Sequence, residues 1–171
     1  MIAASRLRSL LLCASCAGAA VLLASPSSPA SAQAPRPVTD ARLANPEKEN
    51  WLQYRGNHQG WGYSPLEQIT TDNVKDLVPV WSLSTGLDEG HEAPPIVNDG
   101  VMYVSTPQNN VIAVEAKSGE VMWRYRRKLP EELFQLHPTN RGVGLYGDKL
   151  YLATVDACVV ALRVASGEVA W

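Results

Sequence analysis

Phenylalanine and sulfur are scarce in this 171-residue chain, which has one Phe, three Met and three Cys. Cys13 and Cys16 fall in the leading segment, so Cys158 is the one thiol beyond it. An internal disulfide framework is therefore excluded for residues 33–171, and the Cys13-x-x-Cys16 spacing is read as neither a redox motif nor a zinc site. Charge is sparse as well, at 19% of residues against 46% apolar, a balance that suits a folded domain rather than a disordered tail. Any basic excess is missing. Two of the 15 basic residues, Arg6 and Arg8, lie in the leading segment, which leaves 13 against 17 acidic ones. A mildly acidic body argues against nucleic acid as a partner. A run of the ~20 apolar residues that a membrane span needs is also lacking. The longest candidate, Leu10 to Ala24, has about 15 residues and is rich in Ala, Ser and Cys, so no stable membrane span is expected.

What is present in abundance is punctuation, with 12 Gly and 12 Pro. Residues 1–32 read as an export signal: Arg6 and Arg8 before the apolar stretch, then Ala30-Ser31-Ala32 as a small-residue cleavage site ahead of Gln33. The expected product is exported and periplasmic. Residues 33–50, rich in Ala, Pro and Arg up to Pro46, are expected to form an extended N-terminal arm or linker. Patterned sequence begins at Trp51.

That pattern is a repeat. Tyr103, Thr106, Val111, Ala113, Ser118, Gly119, Glu120, Val121 and Trp123 recur 48 positions later, without a gap, as Tyr151, Thr154, Val159, Ala161, Ser166, Gly167, Glu168, Val169 and Trp171. Asn98-Asp99-Gly100 and Gly147-Asp148 carry hairpin-turn chemistry, and Ser118-Gly119 and Ser166-Gly167 punctuate the next hairpin. Short strands rich in Val, Leu, Tyr and Ala, about four per 48-residue unit, describe propeller blades that bury their faces only against one another. The fold class is therefore all-β: about two β-propeller blades plus the N-terminal part of another, from an incomplete propeller spanning 51–171. An immunoglobulin-like sandwich would not explain a repeat ending in Trp. Cys158, inside the apolar pattern Val155 to Leu162, is expected to be a buried filler.

Ala113-x-Glu115-x-x-Ser118-Gly119-x-x-x-Trp123 resembles the tryptophan-docking motif of the quinoprotein (PQQ-dependent) alcohol dehydrogenases. Ala161 to Trp171 repeats it, with Arg163 where the motif prefers Asp, and Trp81 resembles the outer-strand Trp of a preceding unit. Trp51-x-x-Tyr54-Arg55-Gly56 and Gly62 to Ile69 are similar to the opening of these enzymes. The resemblance implies an eight-bladed propeller. It also implies a PQQ cofactor beside a calcium or lanthanide ion, an alcohol substrate whose hydride passes to PQQ, and a periplasmic cytochrome c as electron acceptor.

Two motifs carry the site that this resemblance implies. In Gly90-His91-Glu92-Ala93-Pro94-Pro95 the residue at the cofactor's edge would be Glu92. In Asn140-Arg141-Gly142, Arg141, with Asn140 beside it, would meet a cofactor carboxylate or carbonyl oxygen. An Arg fork suits a planar quinone bearing carboxylates, and Glu92 can stand there if it pairs with Arg141 or is protonated. Many relatives have adjacent cysteines shortly before this Arg. Here Gln135-Leu136-His137 stands in their place, which the resemblance would set with Leu136 or His137 against one face of the cofactor; an ordinary loop histidine is the other, slightly favoured, reading of His137. Metal ligands and the aspartate base of the family have no match in these 171 residues, so no catalytic residue is assigned. The expectation is the opening portion of a dehydrogenase without turnover of its own. The alternative is a non-catalytic propeller acting as a binding or assembly module.

Other motifs fail on context. Gly142-x-Gly144-x-x-Gly147 matches a dinucleotide fingerprint by letter, but a strand pattern rather than a helix follows it. His91-Glu92 lacks the second His and the helix of a zinc protease, because Pro94 and Pro95 follow. The basic run Arg124 to Lys128 reads as a solvated exit from a blade, with a docking patch for an acidic partner as the second reading.

Overall fold

The computed structural model describes residues 34–171, so the expected export signal at 1–32 lies outside the described residues. A short helix, α1 (Asp40–Ala44), precedes seven strands: β1 (Ile96–Asn98), β2 (Val101–Thr106), β3 (Asn110–Glu115), β4 (Val121–Tyr125), β5 (Gly144–Tyr146), β6 (Lys149–Ala153) and β7 (Val159–Arg163). They form a four-stranded sheet ordered β1-β2-β3-β4 and a three-stranded sheet ordered β5-β6-β7, antiparallel throughout. Consecutive strands pair because each turn is short and built for it. Asp99 and Gly100 both take positive φ, 48° and 79°, the geometry that joins two right-twisted strands without splaying them.

The 48-residue repeat is a structural repeat down to single hydrogen bonds. Ala113 faces Trp123 and Val114 faces Val121, so Met122 bulges between them. In the second unit Ala161 N–H donates to the Trp171 carbonyl (3.0 Å) and Leu162 bridges Val169, the same bulge 48 residues on. The Ser-Gly turns match as well. Gly119 N–H donates to the Glu115 carbonyl at 2.9 Å, and Gly167 N–H to the Arg163 carbonyl at 2.8 Å. Arg163 is tolerated at the motif's acidic position because that turn is closed by backbone. In the first unit Glu115 adds a cap, accepting from the Ser118 (2.6 Å) and Lys117 (3.0 Å) amides. These bonds, Ser118 foremost, hold its carboxyl below the ordinary range.

Each Trp docks on the next unit. Trp81 donates its indole N–H to the Ala116 carbonyl (3.0 Å) and lies flat on Gly119. Trp123 does the same to Val164 (2.9 Å) and Gly167. A Cβ on Gly119 would stand 2.6 Å from Trp81 Cδ2, so the site requires glycine both for contact and for its φ of +76°. Trp81 thus plays the docking part expected of it, but Val78 to Ser84 pairs with no strand among the described residues. Pro79 also removes one backbone donor there. The core runs through both sheets, with Tyr103, Val111, Ala113, Leu150, Leu152, Ala161 and Leu162 essentially inaccessible. Strand β3 buries both faces at its centre, whereas β4 alternates and leaves Met122 and Arg124 outside.

Of the two readings of residues 33–50, arm or linker, the structure shows an arm packed on the sheets, and one expectation, at Cys158, is corrected. Val38 exchanges two backbone hydrogen bonds with Gly147 (2.8 and 2.7 Å), and α1 is capped by the Thr39 hydroxyl. Arg36 grips Asp99 through its backbone N–H (2.8 Å), Nε (2.9 Å) and Nη2 (2.5 Å). Arg42 grips Glu47 through Nε and Nη2 (2.8 and 3.0 Å), while its Nη2 also reaches Asn98 (2.9 Å). The arm therefore clasps the β1–β2 turn and the β5–β6 turn together. Cys158 is exposed, not buried. Val155–Cys158 is a turn closed by Thr154 N–H to the Cys158 carbonyl (2.9 Å), with Ala157 at φ 60°, and β7 begins only at Val159.

Candidate functional site

Pro94 and Pro95 hold the approach to β1 extended, which projects Glu92 away from the sheet. His91 is braced on both ring nitrogens, Nδ1 against the Glu89 carbonyl (2.8 Å) and Nε2 against the Thr85 hydroxyl (2.9 Å). Arg141 arrives from the loop before β5. Behind it Asn140 is buried, donating Nδ2 to Asn109 Oδ1 (3.2 Å) and the Ala153 carbonyl (3.3 Å) while Oδ1 accepts from Gly142 N–H (3.0 Å). Gly142 takes φ 126°, and the Asn-x-Gly turn so formed turns Arg141 outward.

The two loops meet at one point: Arg141 Nη2 lies 3.0 Å from Glu92 Oε2. The side chains are 82% and 43% exposed, so the pair contributes only about 0–1 kcal/mol to stability. An exposed guanidinium bound by one nitrogen keeps donors free for a second anionic partner. Beside the pair is a depression of about 390 Å³ lined by Tyr54, Arg55, His91, Glu92, Ala93 and Pro94. Of the three site residues expected from sequence, Glu92 and Arg141 are thus brought together. Asn140 sits one layer below with its amide engaged by the protein. Leu136 is 78% exposed and His137 is exposed too, whereas Gln135 turns inward.

The sequence reading noted Tyr54 and Arg55 only as part of a similar opening and gave them no place at this site. Arg55 is oriented by Nε donating to the Gly60 carbonyl (2.8 Å), in a turn where Gly56, Gly60 and Gly62 all have positive φ. That cluster of Gly around an Arg was the available signal. Also unforeseen was Arg127, read as part of a solvated run, which pairs with Asp156 at 2.5 Å. No group of three or more His, Cys, Asp or Glu side chains placed to hold a metal ion occurs among the described residues.

Residues 51–171 match the PQQ-type "Glucose/ethanol/alcohol dehydrogenase, beta-propeller domain". The chain belongs to this family. A quinoprotein ethanol dehydrogenase of Pseudomonas aeruginosa is 40% identical over 139 residues, covering 78% of this chain and 22% of that protein. Among solved structures, a quinohemoprotein alcohol dehydrogenase of Pseudomonas putida superposes with a TM-score of 0.74 at 35% identity, covering 82% of this chain and 21% of its own. A europium-containing methanol dehydrogenase gives 0.69 at 31% identity, with 77% and 24% covered. The chain therefore spans under a quarter of the length of these relatives. Its antiparallel sheets and Trp-on-Gly stacking are the propeller's repeating unit.

Proposed function

We propose that this chain forms the cofactor-edge portion of a periplasmic PQQ-dependent dehydrogenase that oxidises alcohols, with a cytochrome c as electron acceptor. The observation that carries the reading is the 3.0 Å Glu92–Arg141 pair, exposed at the rim of a depression, in a chain of this family. The donor set fits the group. Arg141 offers further N–H donors to a carboxylate, and its contact with Glu92 keeps that acid from facing an anionic cofactor alone. Asn140 holds the Arg141 loop, and the braced His91 holds the Glu92 loop. When bound, PQQ supplies a hydride-accepting orthoquinone; what these residues do is bind and orient its edge. A calcium or lanthanide ion belongs to the same reading, and the europium-containing relative supports that class of metal. The export pattern in residues 1–32 supports the periplasmic location.

The 171 residues alone are proposed to bind without turning over, because the relatives devote more than three quarters of their length to structure not represented here. The test loads the purified chain with PQQ and calcium and follows dye-linked oxidation of a primary alcohol. PQQ that co-elutes with the chain on gel filtration, with no oxidation above a protein-free control, is the expected result. Turnover would overturn the inactivity claim, and failure to retain PQQ would count against the site.

A further inference from the structure

We propose that the groove along β4 is a binding site for a small polyanion, a molecule carrying two or more anionic oxygen groups. Strand β4 is the edge of its sheet, so one side of its backbone is open. Within β4 Met122 and Arg124 are exposed, and just past its end Arg126 is exposed as well; Arg124, Tyr125, Arg126 and Arg127 all line one groove. The groove is a concavity of about 300 Å³, lined as well by Thr85–Leu87, Gln108, Asn110 and Ile112. Three arginines line it, Arg124, Arg126 and Arg127, and no carboxylate does.

The charges are available. Arg127 is held by Asp156, but neither Arg124 nor Arg126 has an ion-pair partner among the described residues. Arg124 and Arg126 stand two residues apart, which in extended chain roots them about 7 Å apart, within reach of two carboxylates on a short carbon skeleton. Forked donors of this kind favour oxyanions over chloride. The groove is distinct from the Glu92–Arg141 rim, since the two share no lining residue.

Isothermal titration of the full chain with citrate, against a chloride titration at matched ionic strength, tests the assignment. The expected result is saturable one-to-one citrate binding that Arg124→Gln and Arg126→Gln each weaken about tenfold, the loss of one charged hydrogen bond. Lys117→Ala, which removes an exposed charge outside both concavities, should leave citrate binding unchanged. Thermal melting shows that each variant is folded; if one glutamine variant is not, the other carries the comparison. Four outcomes overturn the proposal: no saturable binding, equal response to chloride, binding that survives both substitutions, or binding weakened as much by Lys117→Ala. The first would mean that the arginines merely protect an open strand edge. Binding of polyglutamate without citrate would assign the face to an acidic protein instead, and also counts against it.

Discussion

Substituting Gly119 by Ala separates the two reasons for glycine at the docking turn. The first is backbone: at φ +76° a Cβ costs about 1–2 kcal/mol. The second is contact. The new Cβ would stand 2.6–2.8 Å from three atoms of the Trp81 indole, closer than any carbon contact tolerates, so the ring must leave. Displacing it forfeits the stacking and the 3.0 Å bond to Ala116, and by analogy with buried aromatics truncated elsewhere the limit is about 3–5 kcal/mol. Gly100 is the control, because at φ +79° its Cβ meets nothing within 4 Å. Gly100→Ala should show the backbone cost alone, and Gly119→Ala that cost plus at least about 1 kcal/mol of lost docking. Urea unfolding followed by far-UV circular dichroism measures both, and Trp fluorescence should shift red only in Gly119→Ala. Equal losses in the two variants, with unchanged fluorescence, would refute the claim that units are joined by Trp-on-Gly contact.

The arm's clasp makes stability depend on acid. Hydrogen bonding to Arg36 holds Asp99 at about 2, and hydrogen bonding to Arg42 holds Glu47 at about 2, both below ordinary carboxylates. Folded-state pKa values below the unfolded ones mean that this stabilisation is complete above about pH 4.5 and fades as pH falls toward 2. Hydrogen-exchange protection factors at the Val38 and Gly147 amides, corrected for the intrinsic rate at each pH, should fall across that window, and Asp99→Asn should flatten the response; an unchanged profile would contradict the clasp. Asn140→Ala, which strips three hydrogen bonds from a buried turn, should cost about 1–3 kcal/mol and raise mobility at Arg141. Chemical denaturation and NMR relaxation check it, and a neutral variant would show that the turn does not depend on that amide.

The features legible in the sequence were those written as periods or turns. The recurrence of Trp123 as Trp171 foretold the docking, because stacking units must repeat the residues that stack. Glu92 and Arg141 were legible as motifs, and their loops converge because each leads into the first strand of a sheet. What stayed hidden rests on unrepeated, long-range polarity. Nothing periodic links Arg36 with Asp99, 63 residues on, so residues 33–50 stayed open between arm and linker and the clasp went unseen. Cys158 was misplaced because Val155 to Leu162 is apolar enough to read as one strand. The Thr154–Cys158 turn, with Asp156 drawn to Arg127, interrupts it.

The proposed cofactor contact is made by Arg141, backed by Glu92, at the mouth of the Tyr54–Pro94 depression. Equilibrium titration of the chain with PQQ, read by quenching of Trp fluorescence, tests it most directly. In an Arg124→Gln/Arg126→Gln background, which removes the β4 groove as a second anion site, the prediction is saturable one-to-one binding that Arg141→Ala weakens at least about tenfold, the worth of one charge-assisted hydrogen bond. Binding indifferent to Arg141→Ala in that background would contradict it.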